Sequence, residues 1–143
     1  MADPRKAVAF EGLGARFATY KIDNSTITYD KTEVRGTAQR DLAVTLSAAG
    51  TVELTADGDP IEGRLDRVEA DGYAVVQVGG YTTLPGGDSA SLTLGKKIVG
   101  DLGVGAAKGY IREVATGTAA ELGLARGRVI DASTASATVV CLD

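Results

Sequence analysis

Apolar and polar residues alternate in short bursts along most of the chain, and the bursts stop at glycine or at Asp-Gly. The segments 41–46, 51–55, 62–70, 73–80, 90–94, 96–102, 109–114, 127–131 and 137–142 each read as a strand. Their spacing of roughly ten residues, with turn residues between, predicts a small β-barrel or β-sandwich. In 62–70, Leu65 and Val68 are the apolar positions. They stand three apart, an odd number, so this strand is expected to hold a bulge. In 73–80 the alternation sets Val76 and Val78 on one face, and Val75 and Gln77 on the other. Asp71-Gly72 before it fits a two-residue type I′ turn, in which both residues take positive φ. Gly79-Gly80 after it lets the strand bend or lets another backbone approach.

The period changes only once. Thr118-Ala119-Ala120-Glu121 fits a capping box and predicts one short helix, which Gly123 and Gly127 hold to about two turns. The fold class is therefore mainly all-β, a small barrel or sandwich with one short helix.

Residues 1–36 differ from the rest. They hold Phe10, Phe17, Tyr20 and Tyr29, four of the seven aromatic residues, whereas residues 37–143 hold 16 of the 19 glycines. The segments 15–22 and 25–29 have strand patterns, with Asp23-Asn24 as the turn between them. This composition divides the chain into an N-terminal arm or β-extension over 1–36 and a β-rich body over 37–143. The anchors of the arm would be Phe10, Phe17, Tyr20 and Ile22, either packed on another chain or completing the body's own core. The arm reading expects residues 2–22 to be removable with the body still folded.

Charge and side-chain chemistry then narrow the function. The net charge is −4 and the pI about 4.8, a balance that disfavours binding to nucleic acid phosphate. Residues 1–36 carry six basic and five acidic side chains, and residues 37–143 nine and fourteen, so the acidity lies in the body. The chain has no histidine and one cysteine, Cys141. Serine–histidine and cysteine–histidine nucleophiles are thereby excluded, as are internal disulfides and Cys-rich zinc sites. Cys141 lies in an alternating apolar run and is expected to be a small buried hydrophobe. There is no apolar run of membrane-spanning length, and the start lacks a signal-peptide pattern, so folding in the cytoplasm of the producing cell is expected.

Other motifs dissolve on inspection. Gly12-Leu13-Gly14 lacks the third glycine and the strand–helix setting of a dinucleotide turn. Asp57-Gly58-Asp59 has Val68 where a calcium loop needs glutamate, and reads as a turn. Asn24-Ser25-Thr26 has meaning as a glycosylation site only in a secreted chain. Lys96, Lys97, Arg126 and Arg128 read as exposed charges on strand edges. The acids Asp66, Glu69, Asp71, Asp88 and Asp101 read as a solvated surface, with a carboxylate hydrolase as the competing view.

The run DGYAVVQVGGYTTLP (71–85), then SLTLGKKIVGD (91–101) and the final ARGRVIDASTASATVVCLD (125–143), resembles the capsid decoration, or cement, proteins of tailed bacteriophages. The likeness spans about residues 50–143. It implies a structural protein without catalysis or cofactor, on the outer surface of the virion, commonly a trimer at local threefold positions. Its partners would be the major capsid protein and further copies of itself, with no nucleic acid or membrane. The 1–36 arm would add a strand to a capsid sheet. Tyr73, Tyr81 and Tyr110, the aromatics of the body, are candidates for the interface between copies. A head-fibre or tail-associated adhesin-like module is the alternative among binding proteins.

Overall fold

Five strands close on one another before the chain builds anything else. The computed structural model describes residues 13–88, 90–115 and 119–143. Strands β1 (Arg16–Ile22), β2 (Ala43–Ala48), β3 (Thr51–Leu54), β4 (Gly63–Val68) and β5 (Tyr73–Gly79) form a closed barrel in the order β1-β3-β2-β4-β5. β1 runs antiparallel to β5 over six paired positions and parallel to β3 at Lys21 and Ile22. Ile22, Val44, Val52, Leu54, Leu65, Val68, Ala74 and Val76 fill the interior. The described chain is thus mainly β, built on a closed barrel.

The composition boundary at residue 36 cuts through this barrel. Residues 16–22, read from sequence as part of an arm, form one of its staves, and Ile22 is buried in its core. Segment 25–29 is not a strand. The carboxylate of Asp23 accepts hydrogen bonds from the amides of Ser25, Thr26 and Ile27 at 3.3, 3.1 and 3.0 Å. Local side-chain acceptors of this kind outcompete strand pairing. The turn presses Ile27 into the barrel core, and Thr26 Oγ1 accepts from the Leu54 amide at 3.0 Å.

Two further sheets pack outside the barrel. β6 (Tyr81–Leu84), β9 (Arg128–Asp131) and β10 (Thr138–Cys141) make a three-stranded sheet in the order β6-β10-β9, and β7 (Ile98–Asp101) pairs with β8 (Tyr110–Glu113) as a ribbon. Ala43, Ile61, Leu84, Ile98, Ile111, Val129, Val140 and Leu142 form a second core. Ala43 belongs to a barrel strand, so the second core lies against the barrel. Cys141 is buried in β10. Segment 90–94 forms no strand: Leu92 leans on the second core and Leu94 is exposed. α1 spans Ala119–Leu124. Thr118, the proposed cap, lies outside the described residues. Glu121 does reach back, but to the Ala115 amide at 2.7 Å. No described helix is long and apolar enough to cross a membrane.

The expected irregularity in β4 is present as a register shift between Leu65 and Arg67, which lets Leu65 and Val68 both point inward. The turn before β5 is not type I′. Gly72 has φ +83° and Asp71 is not in the positive region. The Gly72 amide bonds to the Glu69 carbonyl at 3.0 Å, and the Glu69 amide to the Tyr73 carbonyl at 2.8 Å. The connection is therefore three residues, Ala70-Asp71-Gly72, closed by a glycine bulge that matches strand twist with one left-handed residue.

Arg126 also lies elsewhere than its charge suggests. It is not an edge charge facing solvent. Its Nε donates to the Leu142 carbonyl at 2.8 Å, and its terminal nitrogens donate to the carbonyls of Glu62 at 2.6 Å, Ile61 at 3.2 Å and Val78. These carbonyls belong to the barrel side and to the chain end beyond β10, so one guanidinium ties the two packing units together. Lys96, Lys97 and Arg128 are exposed, as read.

Candidate interaction surface

Strand alternation sorts the β1 side chains into two sets. Ala18, Tyr20 and Ile22 face inward, and Phe17, Thr19 and Lys21 face outward. Register then places Phe17 beside Gln77, Thr19 beside Val75 and Lys21 beside Tyr73 on β5. Phe17 is 54% exposed and Tyr73 46%. The two aromatics lie at opposite ends of a two-strand strip about 13 Å long, taking roughly 3.3 Å per residue. Half-buried Val75 lies between them. This strip is a mixed apolar and polar surface of the kind in which a few aromatic anchors carry binding energy.

Gln77, opposite Phe17, does not join the exposed strip. Its side-chain amide donates to the carbonyls of Gly79 and Tyr81 at 3.0 and 3.1 Å, splinting the sharp bend between β5 and β6. Gly80 at that bend has φ +85°, and a Cβ there would lie 2.5 Å from the Gly14 carbonyl. The Tyr81 amide donates to the Leu13 carbonyl at 2.9 Å. Gly80 thus serves a close approach of backbone, as read from sequence, while Gly79 leaves room for the Arg16 guanidinium.

Of the four arm anchors, Phe17 is exposed and Tyr20 and Ile22 belong to the barrel. Phe10 lies outside the described residues. The Tyr20 ring packs on the barrel core and its hydroxyl donates to Glu62. Burial, reinforced by that carboxylate, pushes its pKa up to about 12. The three body tyrosines lie on three different sheets. Tyr73 is in the barrel. Tyr81 is on β6, with Arg128 reaching its hydroxyl at 3.5 Å. Tyr110 is on β8, its ring laid against Gly103 and its carbonyl accepting from Thr55 Oγ1 at 3.1 Å. The structure sets Phe17 and Tyr73 on one exposed face of adjoining strands, a pair that sequence reading assigned to two separate roles.

The acidic side chains are mostly tied into ion pairs and turns. Asp66 pairs with Arg35 and Arg67, Glu69 pairs with Arg67, and Asp71 accepts from the Tyr73 amide. Arg35 and Arg64 both bind Asp41. Asp88 and Asp101 line one open groove of about 360 Å³ with Arg112 and Ser91. Burial raises the Asp101 pKa against the pull of Arg112. Arg112 binds Asp57 at 2.8 Å and both oxygens of Glu121 at 2.6 and 2.9 Å. With the Ala115 amide, this pulls the Glu121 pKa down to about 2 and lifts that of Arg112. The arrangement fastens α1 to the β7–β8 ribbon. Sequence reading missed it because the residues are 9 and 55 apart along the chain.

Fold and surface together define an all-β protein with a closed five-stranded barrel and an exposed aromatic strip on two of its strands. Comparison with protein-family models, curated proteins and solved structures found no match.

Proposed function

We propose that this chain is a capsid decoration protein that binds the outside of an expanded phage head and bridges major capsid subunits. The resemblance over about residues 50–143 motivates the reading. The observation that carries it is the Phe17–Tyr73 strip: two large apolar side chains left exposed on adjoining strands of a braced barrel. A rigid scaffold that presents aromatic anchors binds without a large ordering cost. An acidic body suits an exterior location, since it is repelled by DNA phosphate. The capsid-binding set is then Phe17 and Tyr73, with Phe10 as a further anchor. The copies assemble as trimers at local threefold positions, with Tyr81 and Tyr110 as candidates for contacts between copies.

Sedimentation of the purified protein, alone and with expanded empty heads, tests this reading. The protein should travel as a trimer or assemble as one on the shell, and should co-sediment with heads. Phe17→Ala and Tyr73→Ala should each weaken binding by about 30-fold, the usual scale for a buried aromatic anchor. Absence of head binding by the unaltered protein would refute the reading. A glycan array with clear hits would favour the adhesin-like module instead.

A further inference from the structure

β1 is paired along its whole length on one side only. The Ile22 amide bonds toward β5, to the Gly72 carbonyl at 3.1 Å, and the Lys21 amide bonds the other way, to the Gly50 carbonyl at 2.8 Å. Backbone direction alternates along a strand, so the N–H and C=O groups of Phe17 and Thr19 point the same way as those of Lys21. On that side β3 meets β1 only at Lys21 and Ile22. No described residue pairs with the outward backbone groups of Phe17 and Thr19. The β2–β3 turn at Ala49 and Gly50 stops level with Lys21, and no described strand pairs with the edge beyond it.

We infer that this edge of β1, over Phe17–Tyr20, receives a strand from the capsid protein. This rests on the decoration reading and reverses the direction of strand exchange expected from sequence: this chain offers the edge, and its partner donates the strand. The edge has no proline, and Phe17 stands on it 54% exposed, ready to pack on an alternate side chain of the incoming segment. Lys21 is exposed at one end, while Arg16 at the other is held by Asp143. The segment that fits is therefore short and extended, apolar where it crosses Phe17, with a carboxylate beside Lys21. Lys21 is itself paired with Thr51 on that side, so the carboxylate reaches it diagonally from the end of the segment.

Hydrogen exchange read at single amides tests the inference, with expanded empty heads as the probe. In the free protein the Ala18 and Tyr20 amides, bonded to β5, should exchange slowly, and those of Phe17 and Thr19 fast. On heads the Phe17 and Thr19 amides should slow by at least about 100-fold. Thr19→Pro removes one outward N–H without touching a β5 bond and should weaken head binding at least tenfold. Should that variant misfold, the exchange data decide alone. Binding to heads with Phe17 and Thr19 still exchanging fast would overturn the inference and leave the decoration reading standing. Slow exchange of both in the free protein would also overturn it. In that case protection that grows with concentration would point to a second copy on the edge, and constant protection to this chain's own residues.

Discussion

Single positions show how much of this fold depends on backbone approach rather than on side-chain identity. Gly72 and Gly80 both have positive φ, yet their surroundings differ. A Cβ on Gly72 meets nothing within 4 Å, whereas one on Gly80 would press on the backbone of Leu13 and Gly14. Gly72→Ala should therefore cost only the left-handed strain, about 1 kcal/mol. Gly80→Ala adds overpacking and should cost above about 3 kcal/mol. Urea denaturation of the two variants checks the order, and equal losses would contradict the geometry. Both glycines stand out in the sequence as turn signals, but only the path of residues 13–14 makes one far more sensitive than the other.

Among elements, α1 is the one held by charge. It is six residues long, too short to persist without tertiary contacts, and has no buried residue. The Arg112–Glu121 pair is its tether, with the Glu121 side chain 14% exposed. Because the folded-state pKa of Glu121 lies near 2, below the ordinary 4.5, the pair's stabilisation is complete above about pH 4.5. It fades as pH falls from there toward 2. The loss should be about 1–2 kcal/mol, since solvent near the surface screens the pair. Glu121→Gln should lower stability at neutral pH and flatten the change between pH 4.5 and 2, as read by urea midpoints across pH. An unchanged acid slope in this variant would show that Glu121 is not the titrating group. The raised pKa of Asp101 acts in the opposite sense, favouring the fold as pH falls, and so partly masks the effect in the unaltered protein.

For the whole molecule the question is whether the barrel and the outer sheets unfold together. They have separate cores, and Arg126 bonds across them to four carbonyls. Arg126→Met keeps much of the volume but leaves those carbonyls without a donor. It should cost about 3–5 kcal/mol and split or broaden a single thermal transition. Deleting residues 2–22 should do more. It removes a barrel strand and Ile22 from the core, so the product should lose cooperative unfolding and bind hydrophobic dye. A folded, cooperative product would show that β1 is dispensable and restore the arm reading.

The all-β class, most strand positions, the β4 bulge and the bend at Gly79-Gly80 were legible from alternation and turn residues, because these are local properties of the backbone. Segments 25–29 and 90–94 have the same local pattern and are not strands: one is captured by the Asp23 carboxylate, and the other forms no ladder. The partners of Arg126, Arg112 and β1 were not legible, because each contact joins positions far apart in sequence and depends on how the sheets wrap. The same holds for the aromatic strip. Alternation shows that Phe17 and Ile22 point to opposite faces, but which face meets water depends on closure of the barrel. Closure puts Ile22 in the core and leaves Phe17 and Tyr73 in solvent at the two ends of one strip.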